Sequence, residues 1–365
     1  MNQYIFILMW VLILGTLYKI KRQQEREIYS IDLYKNPSVG YCIILALPVI
    51  ISAALRTTFG DQGYKIAYRG LHLNFSELIE LLESGGKGPG YTVITYIGTK
   101  FVGNNAEVFF FIIAAFQMYS LMKIYRKYSV DLWLAFFIFI ATADYLSWMQ
   151  NGIRQFIAVT LILLFSDWMF KKIYIKFFIV VLVAATVHSS ALLMIPIMIL
   201  VQGKAFNKKT ILATIAVVIL IVTLDKAVPI VGELLSGTEY SGAITDWQTS
   251  GNDGVNIFRV LVYSIPMILA LVAHKTVRSY DDKIINVLCN MSVMSTLLYI
   301  VGMFTSGIYI GRLPIYCTIY TNGILLPWLV NKAYKGKIRN IMYVAMIPCY
   351  CLFYYYQTHF VWGLI

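Results

Sequence analysis

"NGIRQFIAVTLILLF", residues 151–165, carries Arg154 and Gln155 near its start and then runs apolar except for Thr160. Such a stretch reads as a membrane helix, and a permanent cation at its mouth raises the question of which bilayer face the mouth meets. Comparable stretches recur from end to end of the 365-residue chain. Hydrophobic residues make up 59% and charged residues 13%, with a mean hydropathy of +0.71, which leaves too little polar surface to cover a soluble globule. The fold class that follows is an all-α polytopic membrane protein. A net charge of +12 would suggest nucleic acid in a soluble domain. In a membrane chain it asks instead where the basic residues sit relative to the spans, and no nucleic-acid partner is expected.

Spans are expected near 4–18, 38–55, 106–122, 132–148, 152–169, 173–187, 189–202, 210–224, 257–273, 284–302, 312–330 and 340–357, twelve in all. The first, "YIFILMWVLILGTLY", has no basic residue before it and no small-residue cleavage site, so it reads as an uncleaved span. Connections after the first, third, fifth, seventh, ninth and eleventh segments hold 21 of the 30 lysines and arginines. That side is the cytoplasm by the positive-inside rule, which puts both termini outside. No repeat or soluble module is visible. The expectation is one integral membrane domain over 1–365, with external loops at 56–105 and 225–256 and a re-entrant piece near 91–103.

Residues 173–202 as one helix would rise roughly 45 Å, too long for a single crossing. A hairpin with its turn at "VHSSA" fits better and places His188 just below the outer surface. On this topology Arg154 is external, against the charge bias. So are Arg56, Arg259 and Arg312, each at the outer end of a span. Any single arginine there could snorkel to head groups. Four converging from different spans suggest a site for a phosphorylated, lipid-linked ligand, because the guanidinium fork fits phosphate as an ammonium does not.

The loop "RTTFGDQGYKIAY" sets Arg56, Asp61, Tyr64 and Tyr68 directly after a span. "FSELIELLESGGKGPGY" reads as an amphipathic run along the interface, broken by glycines and a proline. Between Asp225 and Asn256 lie Glu233, Glu239, Asp246, Trp247 and Asp253, an acid and aromatic mixture that suits carbohydrate or a solvated loop equally. Cys42, Cys289, Cys317, Cys349 and Cys351 lie in or beside apolar runs without zinc-type pair spacing and read as small core residues. The chain has no Walker A loop, no G-x-G-x-x-G after a strand, no H-E-x-x-H and no external D-x-D. No cofactor and no metal are therefore expected, and "YDDK" at Asp281 and Asp282 reads as a solvated cytoplasmic turn.

Taken in order, "RTTFGDQGY", "NGIRQFIAVTLILL", "FIVVLVAATVHSSALLMIPIMI" and "GIYIGRLPIY" make the chain resemble the EpsG family of Wzy-like polysaccharide polymerases over roughly residues 50 to 320. The resemblance implies about twelve transmembrane helices with external interfacial segments, similar to the GT-C class of lipid-linked-sugar glycosyltransferases. It also implies a multi-pass enzyme of the bacterial plasma (inner) membrane that is active on the periplasmic or external side. Its substrate would be an undecaprenyl-pyrophosphate-linked oligosaccharide. The growing chain would move onto the next lipid-linked repeat unit, with membrane lipids around it and a chain-length regulator and a flippase as candidate partners.

Under that reading Arg56, Arg154, Arg259 and Arg312 bind the substrate, and arginines instead of a metal neutralise the departing pyrophosphate. Tyr64, Tyr68 and Gln155 orient sugar or phosphate oxygens. The attacking hydroxyl needs a base, for which the candidates are His188 and Asp61. His188 is preferred because imidazole exchanges protons near neutrality. Asp61 is better suited to hold an arginine or a sugar hydroxyl, and one base without a covalent intermediate implies inversion. A polysaccharide ligase, a lipid-linked oligosaccharide flippase and a membrane O-acyltransferase remain open at this point.

Overall fold

The computed structural model describes residues 2–29, 37–71, 73–84, 88–223, 233 and 254–365. Among them the chain is helical throughout, with no strand. The helices are α1 Gln3–Tyr29, α2 Val39–Leu55, α3 Gln62–Arg69, α4 Phe75–Glu83, α5 Pro89–Val102, α6 Ala106–Tyr128, α7 Leu132–Ala141, α8 Ile153–Leu164, α9 Ser166–Phe170, α10 Tyr174–Val187, α11 Met194–Leu200, α12 Lys208–Val222, α13 Ile257–Val272, α14 His274–Tyr280 and α15 Lys283–Phe304. A mixed helix Ile310–Ala333 and α16 Gly336–Tyr355 follow.

Each apolar segment expected to span is helical. Among the described residues, four helices are by themselves long and apolar enough to cross a bilayer: Gln3–Lys21, Ala106–Tyr128, Lys283–Phe304 and Ile310–Ala333. A fifth would be α13 with α14, bent by 71°. The other apolar helices are shorter, and local breaks explain two of them. After α7 the chain turns at Thr142 to Asp144, where Ala143 has φ 59°, and resumes as a π-helix over Tyr145–Gln150. α8 stops at Phe165 before the short α9.

Two compact units form, one from residues 1–192 with 330–365 and one from 193–329. In the first, all ten residues of α7, "LWLAFFIFIA", are buried, as expected of a helix apolar on every face. Around it pack α1 and α16, with Trp133 Nε1 donating to the Val11 carbonyl at 2.9 Å. Polar residues mark the two ends of this unit. At one end Arg126 donates to Pro37 O at 2.7 Å, Lys127 and Tyr128 bind Asp167, and Lys19 lies 3.5 Å from Asp131. Asp131 also accepts the Tyr343 hydroxyl and caps α7 through Leu134 N. At the other end Asn2 Nδ2 donates to Leu364 O at 2.6 Å, and Phe59 packs on Trp362 with ring centroids 5.3 Å apart. Both termini therefore lie at the end where α2 finishes, opposite the lysine-rich one.

In the second unit α13 and α12 pack on α15. Val255 N donates to Gly302 O at 3.0 Å, and Gly302 and Gly311 close around the Val255 side chain. On α15, Asn286 and Asn290 hold the loop after α11 through Ala205 N, Phe206 N, Val201 O and Lys204 O. Asp282 caps the same helix by accepting Ile284 N and Ile285 N, so the "YDDK" turn has a structural use.

Candidate active site at one end of the first unit

Arg56 follows the last residue of α2, only 3% exposed. One guanidinium nitrogen donates to Ala53 O and the group lies 5.2 Å from the Phe110 ring centroid, a cation–π contact. Among the described residues its Nε and Nη2 have no hydrogen-bond partner. Beneath it Lys65 reaches back from α3 to donate to Ala54 O at 2.8 Å and Arg56 O at 3.0 Å, capping carbonyls that α2 leaves open. Burial lowers the Lys65 pKa, and the Glu107 carboxylate 3.3 Å away works against that shift. A buried cation with two idle donors is costly unless something else meets them.

The next turn clasps the helix that carries Arg154. Asp61 N donates to Gln150 O at 2.7 Å, and the Asp61 carboxylate accepts Ile153 N at 3.2 Å. Gly60 makes this approach possible. It sits at φ +78°, and a Cβ there would overlap the Gln150 carbonyl. Gln150, fully buried in the π-helix, donates to Ser52 Oγ at 3.3 Å and leaves its own amide oxygen without a partner. An acid at the first turn of α8 also suits the positive end of the helix dipole.

A strap of backbone, Gly88 to Tyr91, runs between Arg154 and the end of α10. A Cβ on Gly88 would fall 2.8 Å from Val187 O and 3.3 Å from the Arg154 guanidinium carbon, and one on Gly90 would overlap Thr186 Oγ1. Tyr91 N closes the strap on Gly88 O at 2.9 Å, and the Tyr91 ring meets Tyr64 edge-on with centroids 5.4 Å apart. His188 directly follows α10 in extended conformation. Its Nδ1 lies 2.7 Å from Ser190 Oγ, and its N–H donates to Ala184 O.

One end of this unit thus brings together Arg56, Asp61, Tyr64, Arg154 and, across the strap, His188. Gln155 is buried in α8 beside Arg154. Tyr68 serves packing: its ring stacks on Phe109 at 4.1 Å and its hydroxyl donates to Gly103 O at 3.0 Å. Arg259 and Arg312 belong to the second unit, where the Arg259 guanidinium lies 5.6 Å from the Tyr263 ring and 6.0 Å from the Tyr299 ring. Of the loop from Asp225 to Asn256, residues 225–232 and 234–253, with Glu239, Asp246, Trp247 and Asp253, lie outside the described residues. Sequence reasoning missed Tyr91, Gln150 and Thr186. The paired glycines of "GKGPGY" were the available signal, since glycine on both sides of a proline marks close backbone approach.

Apolar helices long enough to cross a bilayer, with a polar cluster around the buried Arg56 at one end of the first unit, define an integral membrane protein. The chain belongs to the EpsG family, whose model matches residues 39–362. No curated protein and no solved structure matches it. Membership supports a glycosyltransferase-like, polysaccharide polymerase role in general terms.

Proposed function

We propose that this protein is a bacterial polysaccharide repeat-unit polymerase. It transfers the growing glycan from undecaprenyl pyrophosphate to the next undecaprenyl-pyrophosphate-linked repeat unit on the external face of the plasma membrane. The observation that carries this reading is Arg56, buried with two unpartnered nitrogens at the end of the unit where Arg154 and His188 also lie. Fixed cations in a site of low dielectric stabilise a departing pyrophosphate without reorganisation. The opposite end carries Lys19, Arg126 and Lys127, so the positive-inside rule favours an external site. An even number of crossings, twelve on this reading, is supported by the meeting of Asn2 with Leu364. The GT-C likeness belongs to the same reading.

In the reaction the acceptor hydroxyl oxygen attacks the anomeric carbon of the donor chain. The carbon–oxygen bond to the pyrophosphate breaks, its electron pair stays on the phosphate, and the configuration inverts. His188 takes the hydroxyl proton. Nδ1 lies 2.7 Å from Ser190 Oγ and also faces the Ser190 backbone N–H at 3.4 Å, so the base is Nε2 in the tautomer whose Nδ1 donates to that hydroxyl. The arginines hold the leaving group and no metal enters the scheme. Asp61 positions Arg154 by capping α8.

Deleting the gene in its host and separating the lipid-linked glycans by gel tests this reading. A polymerase deletion leaves single repeat units on the outer face. Absence of any outside repeat would point to a flippase, and full-length polymer retained on its lipid would point to a ligase.

A further inference from the structure

Tyr91 stands at this site with no part in the transfer step. Only 8% exposed, it is placed by the Gly88 to Tyr91 strap, whose Gly88 lies against the Arg154 guanidinium, and its ring is steadied by Tyr64. The phenol is within electrostatic reach of Arg56, Arg154 and Asp61. Among the described residues no hydrogen bond reaches its hydroxyl. The neighbouring Arg56 has two nitrogens without a partner among the described residues, so the group that both side chains can meet is an acceptor, and an anionic one.

We propose that Tyr91 is a third contact for the diphosphate leaving group, a neutral phenol donating one hydrogen bond to a phosphate oxygen held by Arg56 and Arg154. This rests on the polymerase reading above and assigns a residue to its donor site. A neutral donor adds strength without the desolvation cost of a further cation. It also adds direction, because a hydrogen bond to a charged oxygen is shorter and stronger than one between neutral groups. Burial, with Tyr64 second, raises the phenol's pKa, so the hydroxyl keeps its proton at any working pH. Tyr91 therefore transfers no proton. As the bond to the anomeric carbon breaks, the electron pair settles on the phosphate and the Tyr91 hydrogen bond strengthens with it.

The test is calorimetric titration of the purified full-length protein with inorganic pyrophosphate, comparing wild type, Tyr91→Phe and Arg154→Ala, with thermal melts to confirm folding. Tyr91→Phe keeps the ring that packs on Tyr64 and is expected to weaken binding about tenfold, equally at pH 6 and pH 9. Tyr91→3-fluorotyrosine keeps the hydroxyl as a stronger donor, is expected to bind more tightly, and answers the question if the Phe variant fails to fold. Wild-type affinity in both Tyr91 variants, with binding lost in Arg154→Ala, overturns the assignment of Tyr91 alone. Wild-type affinity in Arg154→Ala as well overturns the donor-site reading on which it stands.

Discussion

The Asp61 carboxylate accepts the Ile153 backbone N–H at 3.2 Å, and the next residue along that helix is Arg154. An acid read from sequence as a candidate base thus holds the first turn of the helix that presents the candidate phosphate ligand. Loss of a helix cap costs about 0.5–2 kcal/mol, and here it would also loosen the cation.

Asp61→Asn keeps a side-chain oxygen that can accept Ile153 N–H, whereas Asp61→Ala does not. Polymerisation by the purified protein should survive largely in Asp61→Asn and fall in Asp61→Ala, with a melting loss equivalent to about 1 kcal/mol. Abolished turnover in a well-folded Asp61→Asn that still binds donor would make Asp61 the base and displace His188.

Gly90→Ala tests the strap. The added methyl would overlap Thr186 Oγ1 two residues before His188, and overpacking of this kind costs about 1–3 kcal/mol. Polymer yield should drop sharply. Gly63→Ala is the control, since a Cβ there meets nothing within 4 Å and the residue lies in α3. It should leave yield intact and gain about 0.5–1 kcal/mol of stability.

Tyr68→Phe should lose only the bond to Gly103 O, about 1 kcal/mol on thermal or denaturant unfolding, because the ring keeps its stacking on Phe109. Chain length should match wild type. Shortened chains from a stably folded Tyr68→Phe would return Tyr68 to the substrate site.

Periodicity and charge made the helices legible, because apolar runs and their basic flanks report directly on membrane partition. The breaks were less so. Ala143 at φ 59° and the π-turn that ends at Gln150 arise from packing, and nothing in "ATADYLSWMQ" announces them. Arg56, Arg154 and His188 could be singled out because a cation or an imidazole is conspicuous among apolar residues. Tyr91 could not, being one of 27 tyrosines in a chain where aromatics commonly line the interface. What distinguishes it is the strap, and a strap is a relation between Gly88, Gly90, Thr186 and Arg154 that no single segment contains.

Sidedness has its own test. In a cysteine-free background, Gln62→Cys should react with an impermeant thiol reagent applied to intact cells, and Lys204→Cys and Lys337→Cys should react only after permeabilisation. Labelling of Lys204→Cys from outside would move the end of α10, and His188 with it, to the wrong face.

Elongation by purified protein in lipid nanodiscs, supplied with undecaprenyl-pyrophosphate-linked repeat units, measures the transfer itself. Wild type should produce a ladder of chains and release undecaprenyl pyrophosphate in step with each linkage. Arg154→Lys, which keeps the charge but loses the bidentate fork, should be slower by about 10²-fold at normal abundance. A wild-type protein that binds these units and never joins them, or an Arg154→Lys ladder equal to that of wild type, would contradict the account.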